Sequence, residues 1–386
     1  MGVGIDTRNT GRPGGTGIAT YATLLAEACR LVGLSPEWLH DDAAQSAKNH
    51  ALSSRLSRLA RSLRSECQLE SASNGYSGRD LYRTAEVRDR LQLSKRPLYV
   101  THARPPAIMH WTCPLPIMWP EIPNVVTMHD LIPLLQPELC GSSTNRMHRR
   151  LKQCGDAAAA IVTVSDAVRD DIIEHLAYPA SKVVNLSQPV SFSPSLLAEA
   201  RSEAGICPQG GFLYFGLLER RKNIGRMIRA HGLSGSHRSL VLIGKQGFGA
   251  EEELAALAEH PAPERVQILP WCSRASLVRA IQEARCVFFP SLAEGFGLPI
   301  AEAMTLGTPV ITSLGHATEE IAGGAAYLVD PYDIRALAHA LSRVGSDDVL
   351  ASRLVEAGYA RSQAFTLRAY AERLGAFYDN IAKYQF

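Results

Sequence analysis

The chain alternates short apolar runs with helical patterns, and that alternation restricts its fold more than any other feature. In the first half the runs fall at Gly2–Asp6, Val125–His129, Ala160–Ser165 and Lys182–Leu186. In the second they fall at Phe212–Gly216, Ser239–Gly244, Arg265–Leu269, Arg285–Pro290, Pro309–Thr312 and Ala326–Val329. Such alternation is what βαβ units produce, because each parallel strand needs a crossover helix to reach the next. The expected fold is α/β, with two Rossmann-like, doubly wound parallel sheets facing a cleft. A length of 386 residues suffices for two cores. The Ser- and Pro-rich stretch Ser187–Leu197 is the expected linker, giving domains at 1–190 and 198–368. The last segment spaces Tyr370, Leu374, Phe377 and Ile381 as a helix does, and a helix over about 369–386 is expected to pack back on the first domain.

Composition excludes several classes. The chain is 46% hydrophobic and 20% charged with net charge +2, which gives no global case for nucleic acid. The eight cysteines show no C-x-x-C spacing and fit free thiols in a reducing cytoplasm. No stretch approaches 18 apolar residues, and the N-terminus has no charged-then-apolar signal segment. Charge is uneven, however: residues 48–104 hold 12 basic and 5 acidic residues, a local +7. Within them, "ALSSRLSRLARSLRSE" (51–66) puts Leu52, Leu56, Leu59 and Leu63 on one stripe beneath arginines. Two readings stay open for it: a surface helix packed on the first domain, or a helix lying in an anionic membrane surface.

Ligands of doubly wound sheets bind beyond the carboxyl ends of the strands, so the residues that follow strands are the candidates. In "SLAEGFGLPIAEAM", Glu294 precedes a Gly-Phe-Gly turn and Glu302 lies about one turn into a helix opened by Pro299. A helix N-terminus there suits a phosphate. "FGLLERRKN" packs Arg220, Arg221 and Lys222 together after a strand, well placed to hold a diphosphate. "GRPGGTGIATY" offers backbone N–H groups around Gly15 and Gly17, but it is not a G-x-G-x-x-G dinucleotide fingerprint. "VVTMHDLIP" puts His129 at a strand end, and "VSDAVRDDI" gives Ser165 as a helix N-cap with Arg169 four residues on. No D-x-D and no G-x-x-x-x-G-K-[ST] occurs, so neither the usual acidic clamp for a metal–nucleotide nor a P-loop is expected.

Taken together, these motifs resemble the retaining glycosyltransferases of family 4, which have the GT-B fold. The likeness runs through "GTGIATY", T-x-H-D at Thr127–Asp130, V-S-x-A-x-R at Val164–Arg169, "LERRKN" and the E-x7-E pair Glu294/Glu302. It implies that Arg221 and Lys222 bind a donor diphosphate capped by the backbone of Phe296, Gly297 and Leu298. It further implies that Glu302 holds the nucleotide ribose, Glu294 the donor sugar hydroxyls, and the loop with Trp271 and Cys272 the base. Many members carry Arg directly after the glycine of the diphosphate loop; here that position is Leu217, so Arg220 or Arg221 would substitute. "HWTCPLPI" followed by "VVTMHDLIPL" resembles bacterial exopolysaccharide mannosyltransferases. The expected activity is therefore metal-independent transfer of a hexose, mannose from GDP-mannose being the leading donor and UDP-glucose an alternative. The acceptor is a polyprenyl-diphosphate-linked or other saccharide. Glu294, His129, Arg221 and Lys222 would be catalytic, with no cofactor and no bound metal. A nucleotide-sugar epimerase or a non-catalytic nucleotide-sugar-binding module are the other readings. The expected location is the cytoplasm, and peripheral at the inner face of the plasma membrane only on the membrane-surface reading of 51–66.

Overall fold

The structure is a computed structural model that describes residues 1–10, 17–42, 62–92, 96–141 and 143–383. The first half contains β1 (Gly2–Asp6), β2 (Ser35–Asp41), β3 (Glu66–Gln68), β4 (Glu70–Ala72), β5 (Gly75–Gly78), β6 (Leu98–Thr101), β7 (Ile108–Trp111), β8 (Ile117–Met118), β9 (Asn124–Thr127), β10 (Ala160–Thr163) and β11 (Val183–Asn185). Its main sheet runs β11-β10-β9-β7-β1-β2-β5-β4. Every pairing in it is parallel except β4 with β5. A small parallel sheet, β3-β6-β8, lies beside it.

The second half contains β12 (Phe212–Phe215), β13 (Leu240–Ile243), β14 (Val266–Leu269), β15 (Cys286–Phe289), β16 (Val310–Ser313) and β17 (Tyr327–Val329). All six are parallel, in the order β14-β13-β12-β15-β16-β17. Four of them, β12, β13, β15 and β16, are buried along their whole length. That burial is why they read as unbroken apolar runs. All six expected strands of this half are present, as are the four expected in the first, each within a residue or two at its ends. The strands β2 to β8 were not expected. β2 is Ser-Pro-Glu-Trp-Leu-His-Asp with only Leu39 buried, and so carries no apolar run to find.

The expected linker shortens. Ser193 accepts a hydrogen bond from Leu196 N (3.1 Å) and Pro194 takes the first turn, so Pro194–Ser202 is a helix and only 187–192, entered through a left-handed Ser187 (φ 64°), joins the halves. The chain returns through a second crossing beside the first, where Val190 N donates to Phe365 O (2.8 Å). The final helix, Leu367–Lys383, then seats Tyr370, Leu374, Phe377 and Tyr378 in one core with Tyr21, Leu25, Ile5 and Val125 of the first half. The amphipathic reading of 51–66 falls outside the described residues except for 62–66, where Glu66 opens β3.

A polar knot pins that returning helix. His110, fully buried on β7, binds Tyr378 Oη through Nδ1 (2.5 Å) and Thr127 Oγ1 through Nε2 (2.7 Å). Thr127 Oγ1 also meets Tyr21 Oη at 3.0 Å. Burial drives the His110 imidazole down to about 3 from an ordinary 6.5, with His129 adding to the shift. The unfolded chain therefore takes up a proton near pH 6.5 that the folded chain refuses until about pH 3. Stability should be complete above 6.5 and fall by about 1.4 kcal/mol per pH unit below it. Histidines 129, 231 and 260 are depressed in the same sense, chiefly by desolvation. Urea unfolding at pH 7 and pH 5 tests the share of one residue. In His110→Gln the loss between the two pH values should be smaller than in wild type by about 2 kcal/mol. An equal loss would mean that His110 is already protonated in the folded protein.

Candidate active site at the strand-order switch

Strand order in the second sheet reverses between β12 and β15, and loops leaving their carboxyl ends diverge to leave a crevice. The loop after β12 turns at Gly216 (φ 140°) and runs through a 3-10 turn at Arg220–Lys222. Asn223 follows in the left-handed region (φ 65°), held there by Nδ2 bonds to Pro290 O (3.0 Å) and Pro331 O (2.7 Å). The loop after β15 passes Glu294 and Gly295 to the left-handed Gly297 (φ 93°), where the helix Leu298–Leu306 starts. Leu292 N donates to Arg221 O (2.8 Å), so the two loops are tied to each other.

Between them lies a buried cluster of charge. Glu294 is 8% exposed, and its carboxylate takes Lys222 Nζ on Oε1 and Arg221 Nη1 on Oε2 (2.8 Å). Arg221 also donates to Ala293 O (3.0 Å) and to Glu219 Oε1 (2.7 Å). The Lys222 ammonium lies 4.9 Å from the centre of the Phe289 ring. Burial alone would push the Glu294 carboxyl up, but Lys222 and Arg221 outweigh it and hold it below the ordinary carboxylate value. Glu294 and Arg221 are therefore charged at neutral pH, while burial lowers the Lys222 ammonium against the pull of Glu294.

Glu302, 3% exposed, holds a different cation: Arg274 Nη2 reaches its Oε1, and the Arg274 guanidinium stacks 5.0 Å from the Phe192 ring centre. Arg274 opens the helix Arg274–Glu283 behind the N-cap Ser273, and Trp271 and Cys272 lie half-buried just before it. Phe296 turns its ring into the core, edge-on to Phe365 at 5.5 Å. A cavity of about 350 Å³ adjoins Glu294, lined by Ser291, Ser313 and Thr318 and reached by Gln136 from the first half.

At Gly295 the first half packs directly against this site. A Cβ built on Gly295 would sit 1.9 Å from the carbonyl oxygen of His129. Ser165 Oγ donates to Gly295 O at 2.7 Å while accepting from Val168 N as the cap of its own helix, Asp166–Leu176. His129 Nε2 donates to Thr112 O (2.8 Å), the Tyr21 ring stands edge-on at 5.0 Å, and burial lowers its pKa, so the imidazole is neutral. The structure thus brings Glu294, Arg221, Lys222, His129 and Ser165 together. Arg169 turns elsewhere: its Nε donates to Val183 O (3.0 Å) on β11. Gly17 is the exposed first residue of the helix Gly17–Leu31, and Gly15 lies outside the described residues. Sequence reasoning missed Arg274 and Glu219. Their signal was a charge opposite to a neighbouring candidate, but the pairing becomes visible only in three dimensions.

Residues 208–361, which hold both charge clusters, match the family Glycosyl transferases group 1. This chain carries a glycosyl transferases group 1 domain. O-antigen chain mannosyltransferase B of Escherichia coli is 31% identical over 253 residues, 63% of this chain and 66% of that protein. Serotype-specific mannosyltransferase WbdA of Escherichia coli is 25% identical over 258 residues, and the chain spans only 32% of its length. Among solved structures, sucrose-phosphate synthase from Thermosynechococcus elongatus superposes with a TM-score of 0.73 at 18% identity, covering all of both chains. Anabaena HepE in complex with UDP and glucose gives 0.68 at 15% identity, covering 98% of this chain and 100% of that one. The fold is GT-B.

Within this glycosyl transferases group 1 domain the Lys222–Glu294 pair invites a double-mutant cycle. Orphaning a buried charge usually costs about 3–5 kcal/mol. Lys222→Ala should cost less, because Arg221 stays on Glu294. Lys222→Ala and Glu294→Ala combined should destabilise by at least about 1 kcal/mol less than the sum of the two, measured by urea unfolding. Additive losses would show that the pair is not coupled.

Proposed function

We propose that the protein is a glycosyltransferase that moves a hexose from a nucleotide sugar to a saccharide acceptor in polysaccharide synthesis. Mannose from GDP-mannose is our leading donor, supported by the names of the relatives, which are O-antigen chain and serotype-specific mannosyltransferases. The observation that carries the reading is the Glu294–Lys222–Arg221 cluster, buried at the strand-order switch beside a helix N-terminus. In the unliganded arrangement Glu294 neutralises the two cations. A donor diphosphate would bring them a second anion, which lets Glu294 turn to the sugar hydroxyls.

Cleaving a glycosyl–diphosphate bond builds charge on the leaving phosphate, and fixed cations and N–H donors stabilise it without reorganising. Lys222, Arg221 and the Phe296–Leu298 backbone supply these in our reading. Glu302 with Arg274 would hold the ribose, beside Trp271 and Cys272 at the base. We take the reaction to retain configuration by front-face attack, with the leaving phosphate accepting the acceptor's proton. His129, neutral and oriented by Thr112 O, would present Nδ1 to the transferred sugar. The acceptor, which we take to be a lipid-linked or other saccharide, would enter from the first half, residues 1–190, and the donor would occupy 198–368.

A thermal-shift panel of GDP, UDP, dTDP and ADP tests the donor. GDP at 100 times its dissociation constant should stabilise the protein by about 2.7 kcal/mol. Glu294→Ala should keep that shift and lose transfer by at least about 100-fold, and Lys222→Ala should lose most of both. A protein that none of the four stabilises is not a nucleotide-sugar enzyme. Turnover with EDTA should match turnover without it, since lysine and arginine carry the charge in this reading. Restoration of activity only by added Mn²⁺ would contradict it.

A further inference from the structure

The helix Asp166–Leu176 begins at the cleft, on the first half, with Ser165 as its cap. A helix N-terminus at a cleft offers unpaired N–H groups and a positive dipole end to a ligand anion. Here they are already taken. Glu320, from the second half, accepts Asp166 N on Oε1 (2.9 Å) and Ala167 N on Oε2 (2.8 Å). Each carboxylate oxygen takes one amide, and Ser165 takes the next, Val168 N. The Glu320 backbone is itself anchored: Arg361 donates to Glu320 O (2.7 Å) and to Ile321 O (3.0 Å). One turn away His316 Nε2 meets Asp171 Oδ2 at 2.9 Å. One of these groups reaches the site directly, because Ser165 Oγ holds Gly295 O and Gly295 packs on the His129 carbonyl.

We propose that Glu320 is a positioning residue that clamps the two halves closed and, through Ser165 and Gly295, sets where Glu294 stands relative to His129. It touches neither donor nor acceptor in this reading, which rests on the glycosyltransferase function proposed above. The clamp joins a side chain of the second half to backbone groups of the first, across 154 residues of sequence. Its strength comes from a carboxylate against a helix end, an interaction that falls off within one turn. Opening the halves by a few ångströms therefore abolishes it. Closure and helix capping are one event.

The test uses the full chain with GDP and UDP as probes. Glu320→Ala should leave the affinity for whichever nucleoside diphosphate the wild type binds within about threefold, because that site lies wholly in the second half. It should raise the radius of gyration in small-angle scattering by about 1 Å or more. It should also lower kcat by at least about tenfold while the donor KM changes less than about threefold. Glu320→Gln keeps one acceptor oxygen and should fall between Ala and wild type in both scattering and kcat. Gly295→Ala, whose methyl meets the His129 carbonyl, should open the halves by an independent route. An unchanged radius in both Glu320→Ala and Gly295→Ala overturns the proposal. So does nucleotide binding lost together with turnover, which marks a residue needed only for folding. A wild type that transfers no sugar would defeat the glycosyltransferase reading alone, since the scattering comparison needs no acceptor.

Discussion

One carboxylate, buried between two cations, organises the centre of this protein. Glu294 cannot be charged in that position without Lys222 and Arg221, and they cannot be brought beside it except where β12 and β15 lie adjacent. The topology of the second sheet exists before the site does. It delivers two loops from strands more than 70 residues apart to a single crevice, and Leu292 and Asn223 then bond across from one loop to the other. These bonds and that of Arg221 to Ala293 O tie the loops together and hold the two cations in place. Preorganisation of this kind is what stabilising a leaving anion requires.

How much of this could be read from the sequence depended on where each residue is buried. The second half was legible strand by strand, because parallel strands covered on both faces must be apolar throughout, as Leu240–Ile243 and Cys286–Phe289 are. The first half hid its edge. β2 is partly solvated and carries Glu37 and His40, and β5 is the short Gly-Tyr-Ser-Gly, so no apolar run marks them. β7 is fully buried yet contains His110, whose polarity is satisfied only by Tyr378 and Thr127, far away in sequence. The linker was overextended for a local reason: serine and proline mark loops, but Ser193-Pro194 is also how a helix begins.

The site divides in the same way. Glu294, Arg221 and Lys222 announced themselves by charge at strand ends, where an unbalanced group demands a purpose. Partnerships were not legible. Nothing near Glu302 says that Arg274 will face it, and nothing near Glu320 says that it will cap a helix from the other half. The glycine before Phe296 is the instructive case. Its lack of a side chain makes room for the backbone of His129, from the other half. A glycine reports that something approaches, without saying what.

The returning helix Leu367–Lys383 has a consequence for how the chain is made. Tyr370, Leu374, Phe377 and Tyr378 are synthesised after both sheets, yet they complete a core whose members include Val3, Ile5, Tyr21 and Leu25 of the first half. The second half, by contrast, has its whole sheet outside the ribosome before that helix appears. The half made first therefore matures last. Until it does, it carries an uncovered apolar face, and exposed apolar surface of this kind is prone to aggregate.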